Sequence, residues 1–105
     1  VPPFSVYRNK NPRTRASFPL LVDVQTELLE ELQTRVVIPL TKVTGLTKKP
    51  LRHLTPAVTF EGAAYVLMTP QLAGIARAEL GEPVGSLARQ RHDILAALDF
   101  LLTGF

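Results

Sequence analysis

Apolar and polar positions alternate near the start of the chain, where Phe4, Val6 and Arg8 fall on one side of an extended backbone and Ser5 and Tyr7 on the other. A period of two is the mark of a strand, and this one is expected to end at Asn9, where Asn9-Lys10-Asn11-Pro12 opens a loop. From Phe18 to Gln25 the pattern strengthens. Leu20, Val22 and Val24 share one face, and Leu21, Asp23 and Gln25 the other, which predicts a strand with one buried face. Thr26 to Leu32 spaces Leu28, Leu29 and Leu32 as a helix would, with Thr26 as its cap, although so short a stretch can form only a turn. Arg35 to Leu40 is a β-branched run, and Pro39, which has no N–H to donate, predicts an edge or a bulge within that strand. Pro56 to Phe60 and Ala63 to Met68 flank Glu61-Gly62, a hairpin signal. Leu72 to Leu80 alternates weakly and reads as one more strand before Gly81-Glu82-Pro83.

The period then changes to that of a helix. With Ser86 as cap, Leu87, Ile94, Leu98, Leu101 and Phe105 fall along one stripe at 100° steps, which Leu95 and Leu102 extend. Phe100 lies off the stripe and reads as a second packing contact, and Gly104 ends the helix in the position glycine favours. The expected fold is mainly antiparallel β, closed by one C-terminal helix, with residues 1–105 forming a single domain.

Composition sharpens this picture in two places. Cysteine is absent from the 105 residues, which removes disulfide scaffolds, zinc knuckles, iron–sulfur ligation and thiol catalysis. The net charge of +3 suggests nucleic acid until its distribution is considered. Residues 1–52 carry a balance of +5 and residues 53–105 a balance of −2. Arg8, Lys10, Arg13 and Arg15 crowd one stretch, and Lys42, Lys48, Lys49 and Arg52 another, both reading as loops. Solvated loops that serve solubility and a docking site for an acidic partner both fit such stretches. The longest uncharged run, Gly62 to Ala76, is shorter than the ~18 residues a membrane helix needs. The first residues, with prolines at 2 and 3 and arginines following, do not read as a signal peptide. A cytoplasmic protein without membrane association is expected.

Chemistry-bearing motifs are sparse. His53 and His92 lie far apart, no serine sits in a Gly-x-Ser-x-Gly elbow, and the glycines match no phosphate-binding loop. Glu27, Glu30 and Glu31 form one acidic cluster, better explained by a helix dipole than by a metal. Neither a catalytic site nor a cofactor is expected.

Several separated blocks resemble one family. Leu21-Val22-Asp23-Val24-Gln25-Thr26-Glu27-Leu28-Leu29 followed by Arg35-Val36-Val37-Ile38-Pro39-Leu40 is similar to the signature of the CcdB family, the toxins of type II toxin–antitoxin pairs. Leu54-Thr55-Pro56-Ala57-Val58, Met68-Thr69, Gly81-Glu82-Pro83-Val84, Leu87 and the closing stretch from Asp93-Ile94 to Thr103-Gly104-Phe105 continue the likeness in the family's order.

The resemblance implies an SH3-like barrel with a C-terminal helix, a symmetric homodimer, and a protein that cuts no bond itself. Its implied target is the DNA gyrase A subunit, held with its DNA cleaved. By position, the implied gyrase contacts are Leu28, Leu29, Arg91, Asp99, Leu102, Thr103, Gly104 and Phe105. Thr103 stands where a plasmid-borne member has tryptophan, and Arg91 where that member is acidic. A CcdA-like antitoxin with a flexible acidic segment is the second implied partner, matched to the basic Arg8, Lys10, Arg13, Arg15, Lys42, Lys48 and Lys49, and operator DNA is reached only through that complex. Two alternatives stay open: an endoribonuclease, because toxins of the MazF and Kid type share this fold, and a non-toxic homologue.

Overall fold

The computed structural model describes residues 3–26, 31–44, 51 and 53–104. Seven strands join in one curled, antiparallel half-barrel sheet: β1 (Ser5–Arg8), β2 (Leu20–Asp23), β3 (Thr34–Lys42), β4 (Ala57–Phe60), β5 (Ala63–Leu67), β6 (Ala73–Ala76) and β7 (Gly85–Ser86). Helix α1 (Arg91–Thr103) follows them, so the expected mainly-β fold with a C-terminal helix is the one observed.

The long β3 organises the sheet. On one side it pairs with β2, in register from Leu20↔Leu40 to Asp23↔Val37. On the other side its first half pairs with β6 (Thr34↔Ala76 to Val37↔Ala73) and its second half with β5 (Leu40↔Leu67 to Lys42↔Tyr65). Pro39 falls where the neighbour changes from β6 to β5, and its carbonyl accepts the Met68 N–H at 2.9 Å on that side. The strand is therefore neither an edge nor bulged at the proline. Its missing N–H faces the change of partner, where no ladder bond is lost.

The β4–β5 hairpin turns on Glu61 and Gly62 with φ of +50° and +77°, the two left-handed residues of a type I′ turn, as the Glu-Gly signal predicts. The outer edge of β4 is blunted by a side chain: the Thr59 N–H donates to Gln90 Oε1 at 2.9 Å, and Gln90 Nε2 donates to the Thr59 carbonyl at 2.7 Å. The weakly alternating stretch after Leu72 forms only the short β6, then gives way to a 3₁₀ turn at Arg77–Glu79.

One face of the sheet makes the core. Val6, Val22, Ile38, Leu40 and Leu67 have no solvent exposure and pack under Leu87, Ile94 and Ala97. Each fully buried aliphatic side chain of this kind contributes about 1.5–3 kcal/mol. The opposite face is also buried along β2, all four of whose residues are buried, in contrast to the one-faced burial expected for that strand. Register places Tyr7, Leu21, Asp23, Val37 and Arg35 side by side there. Asp23 tolerates this because Arg35 grips it with both ends of its guanidinium: Nε donates to Oδ2 at 2.7 Å and Nη2 to Oδ1 at 3.1 Å.

The helix begins later than expected. Ser86 Oγ accepts the Ala88 N–H at 3.1 Å and donates to the Pro3 carbonyl at 2.8 Å, so it braces the entry to the 3₁₀ turn Ala88–Gln90, whose N-cap is Leu87, and pins the N-terminal segment, while α1 starts at Arg91. Of the expected stripe, Leu87 and Ile94 are buried and Leu98 packs against the core, which Ala97 joins from outside that stripe. Leu95 and Leu102 do not extend it: they are 41% and 76% exposed, on the flank that faces away from the sheet.

Candidate partner-binding surfaces

Successive helical residues advance by 100°, so Arg91, Leu95, Asp99 and Leu102 fall on one side of α1. All four are exposed. Two bulky leucines between a cation and an anion, turned away from the core, make an amphipathic strip of the kind a protein partner desolvates. Three of these residues were expected at the gyrase surface. Leu95 was not, because sequence periodicity alone could not place it outside the buried stripe.

The strip leads to a well-defined helix end. Gly104 takes the left-handed conformation (φ +79°), and its N–H donates to the Phe100 carbonyl at 2.9 Å, the bond that closes an αL cap. Thr103 is exposed, with its Oγ1 donating to the Asp99 carbonyl at 2.6 Å. Phe100, the off-stripe aromatic, stacks on His53 with ring centroids 5.7 Å apart, the second packing contact expected of it. That stack ties the last turns of the helix to the segment before β4. Leu28, Leu29 and Phe105, also expected at this surface, lie outside the described residues.

The basic residues form a second surface. Arg8 and Lys42 are the last residues of β1 and β3, rather than parts of loops. Lys10, Arg13 and Arg15 follow Arg8 in a β1–β2 connection tied by its own polar groups. Asn9 Nδ2 donates to Thr14 Oγ1 and to the Phe18 carbonyl, the Asn11 N–H donates to Asn9 Oδ1, and the Arg13 N–H to Asn11 Oδ1. Such Asx turns hold a loop in one shape and leave its long cationic side chains in water. Thr41 Oγ1 donates to the Ser17 carbonyl at 2.9 Å, which brings this loop against the end of β3 beside Lys42. Arg8, Lys10, Arg13, Arg15 and Lys42 are thus gathered at one end of the sheet, all exposed. Lys48 and Lys49 lie outside the described residues.

A groove of about 650 Å³ opens between this loop and β6, on the sheet face opposite α1. No sequence signal marked it, because its floor comes from positions that alternate with the core. Among the described residues there is no group of three or more histidine or carboxylate side chains able to hold a metal, and no helix is long and apolar enough to cross a membrane. Comparison with protein families gives a match to the one described as CcdB protein over residues 3–104, almost the whole chain. The match spans the sheet, the basic end, the exposed helix strip and its glycine cap, and the chain accordingly belongs to the CcdB family, the toxins of toxin–antitoxin systems.

Proposed function

We propose that this chain poisons DNA gyrase: it binds the gyrase A subunit, traps the enzyme on cleaved DNA and so blocks replication and transcription, until an acidic segment of a CcdA-like antitoxin neutralises it. The toxin acts as a cytoplasmic homodimer, performs no bond chemistry, and meets operator DNA only in complex with the antitoxin. The observation that carries this reading is the family match together with the exposed strip Arg91, Leu95, Asp99 and Leu102 leading into Thr103 and Gly104. A twofold axis near the chain end would present two copies of this strip to a twofold target. Leu102, at 76% exposure, has most of its side chain available for desolvation against a partner. The left-handed Gly104 lets the backbone turn at the tip without a side chain in the way.

The test is a purified plasmid-cleavage assay. Supercoiled plasmid is expected to become linear only when both gyrase and this protein are present, and removal of Thr103 to Phe105 is expected to abolish the effect with the fold intact by circular dichroism. Gly104→Glu should also abolish the effect: a Cβ at this position meets nothing within 4 Å, and the left-handed φ of +79° costs the substituted residue about 1–2 kcal/mol of strain, confined to the helix end. RNA cleavage without gyrase would replace this reading with that of an endoribonuclease, and absence of both activities would mark a non-toxic homologue.

A further inference from the structure

The helix end that carries Thr103 and Gly104 is held from outside the helix as well as by its own cap. At 100° steps Phe100 lies about 120° around α1 from the buried Ile94, and it is only half-buried. What meets its ring is His53, with centroids 5.7 Å apart and planes at 26°. His53 is exposed, so the pair adds little to the core. The turn that carries His53 is nonetheless closed at both ends: the Thr55 N–H donates to the Leu51 carbonyl at 2.9 Å, and the Leu51 N–H donates to Thr55 Oγ1 at 2.8 Å. Thr55 is buried, and the carbonyl of the next residue, Pro56, accepts the Leu67 N–H of β5 at 3.0 Å. His53 is thus fixed to the sheet, and its ring reaches the helix.

We propose that His53 is a positioning residue for gyrase binding: it holds the Phe100 ring, and through Phe100 it sets the direction in which Thr103 and Gly104 leave the helix. The inference rests on the reading that this helix end meets gyrase. Two bonds carry the effect along the chain. The Phe100 carbonyl accepts the Gly104 N–H at 2.9 Å, and the neighbouring Asp99 carbonyl accepts Thr103 Oγ1 at 2.6 Å. The last turn of a helix frays readily, because its final carbonyls have no partner further along the helix. A ring clamped one turn before the end opposes that fraying. A stacked pair of rings at this separation is worth about twofold to tenfold in the population of the docked turn. Ordering a loose tip on binding is subtracted from affinity, so a tip already ordered binds more tightly by the same factor. His53 acts here without touching gyrase. The flat ring is what the contact requires, so tyrosine at this position can serve and alanine cannot.

The test uses the full chain as the parent, as His53→Ala, His53→Tyr and Phe100→Leu, and as the double variant His53→Ala with Phe100→Leu. Order at the tip is read without gyrase, from the heteronuclear NOE of the Thr103 and Gly104 amides. Function is read as the protein concentration that gives half-maximal gyrase-dependent linearisation of plasmid. In His53→Ala both NOE values are expected to fall and that concentration to rise by about twofold to tenfold, with the melting temperature within about 5 °C of the parent. His53→Tyr should restore both readings. Phe100→Leu should loosen the tip at least as much, and the double variant should be no worse than Phe100→Leu alone, as for two residues that act as one unit. The proposal is overturned if the tip of His53→Ala stays as ordered as the parent's, if lost order leaves cleavage unchanged, if tyrosine fails to rescue, or if the two single effects add. Thermal destabilisation that accounts for the whole loss of activity would make the role structural and overturn it as well. The two levels separate. If the parent gives no gyrase-dependent cleavage, the gyrase reading fails, while loss of tip order in His53→Ala still supports the anchor. Cleavage by the parent with an unmoved tip in His53→Ala keeps the gyrase reading and removes the anchor.

Discussion

Tyr7 shows how much a single position on the second face of the sheet has to reconcile. Its ring is buried beside Leu21 and its phenol lies in the field of Asp23, so burial first and the carboxylate second push its pKa above the ordinary value of 10.0. The guanidiniums of Arg35 and Arg77 and the Ser5 hydroxyl pull the other way without reversing the shift. The folded chain therefore holds the phenol proton more tightly than the unfolded chain. Below the unfolded value of about 10 this contribution is complete; as pH rises above it the unfolded state loses its proton first, and stability falls until the folded phenol also ionises. Melting curves from about pH 8 to about pH 11 should show the Tm of Tyr7→Phe declining less steeply than that of the parent at the alkaline end. Equal slopes would mean that the phenol is as well solvated in the fold as out of it. None of this was legible in the sequence, where Tyr7 shares with Ser5 the side of the first strand opposite Phe4 and Val6. The charged groups that reach it, Asp23, Arg35 and Arg77, come from distant parts of the chain, which local alternation cannot place.

At the scale of elements, sequence and structure agree where a local signal was sufficient. Glu61-Gly62 between two alternating runs specified the β4–β5 hairpin because a type I′ turn needs two left-handed residues and only one short link connects the strands. Glutamate is a poor choice for the first of them. Glu61→Asn, a residue that tolerates φ of +50°, is expected to stabilise the fold by about 0.5–1 kcal/mol, read as a higher denaturant midpoint at unchanged slope. A lower midpoint would mean that the Glu61 carboxylate makes a compensating contact. Where an element's limits depend on distant partners, the sequence misleads. Ser86 looks like the cap of a long helix, yet its hydroxyl is drawn to the Pro3 carbonyl 83 residues away in sequence, and the helix waits until Arg91. Leu95 and Leu102 obey helical spacing as well as Ile94 does, but a sheet of this curvature covers only one side of α1. Which leucines were surplus to the core could be settled only in three dimensions, and those leucines turned out to be the exposed strip.

For the whole molecule the informative quantity is the position of charge rather than its total. The net +3 is concentrated at the end of the sheet where Arg8, Lys10, Arg13, Arg15 and Lys42 converge, while the exposed helix strip carries one arginine and one aspartate. Long-range attraction for an acidic partner is therefore directed to one end of the molecule, and a target of the helix strip gains little from it. Arg13→Glu with Arg15→Glu tests this division without touching the groove lining or the core. Both side chains are exposed on a loop shaped by asparagine and threonine bonds, so stability should stay within about 0.5 kcal/mol of the parent. The two reversals turn the net charge from +3 to −1. Stopped-flow association with the acidic antitoxin is expected to slow by about tenfold at low salt, and the difference should shrink near 0.15 M salt, where the screening length is about 8 Å. Gyrase-dependent plasmid cleavage by the same variant should be unchanged. If instead cleavage falls in parallel with antitoxin association, gyrase also docks on the basic end, and the helix strip is not the whole of its surface.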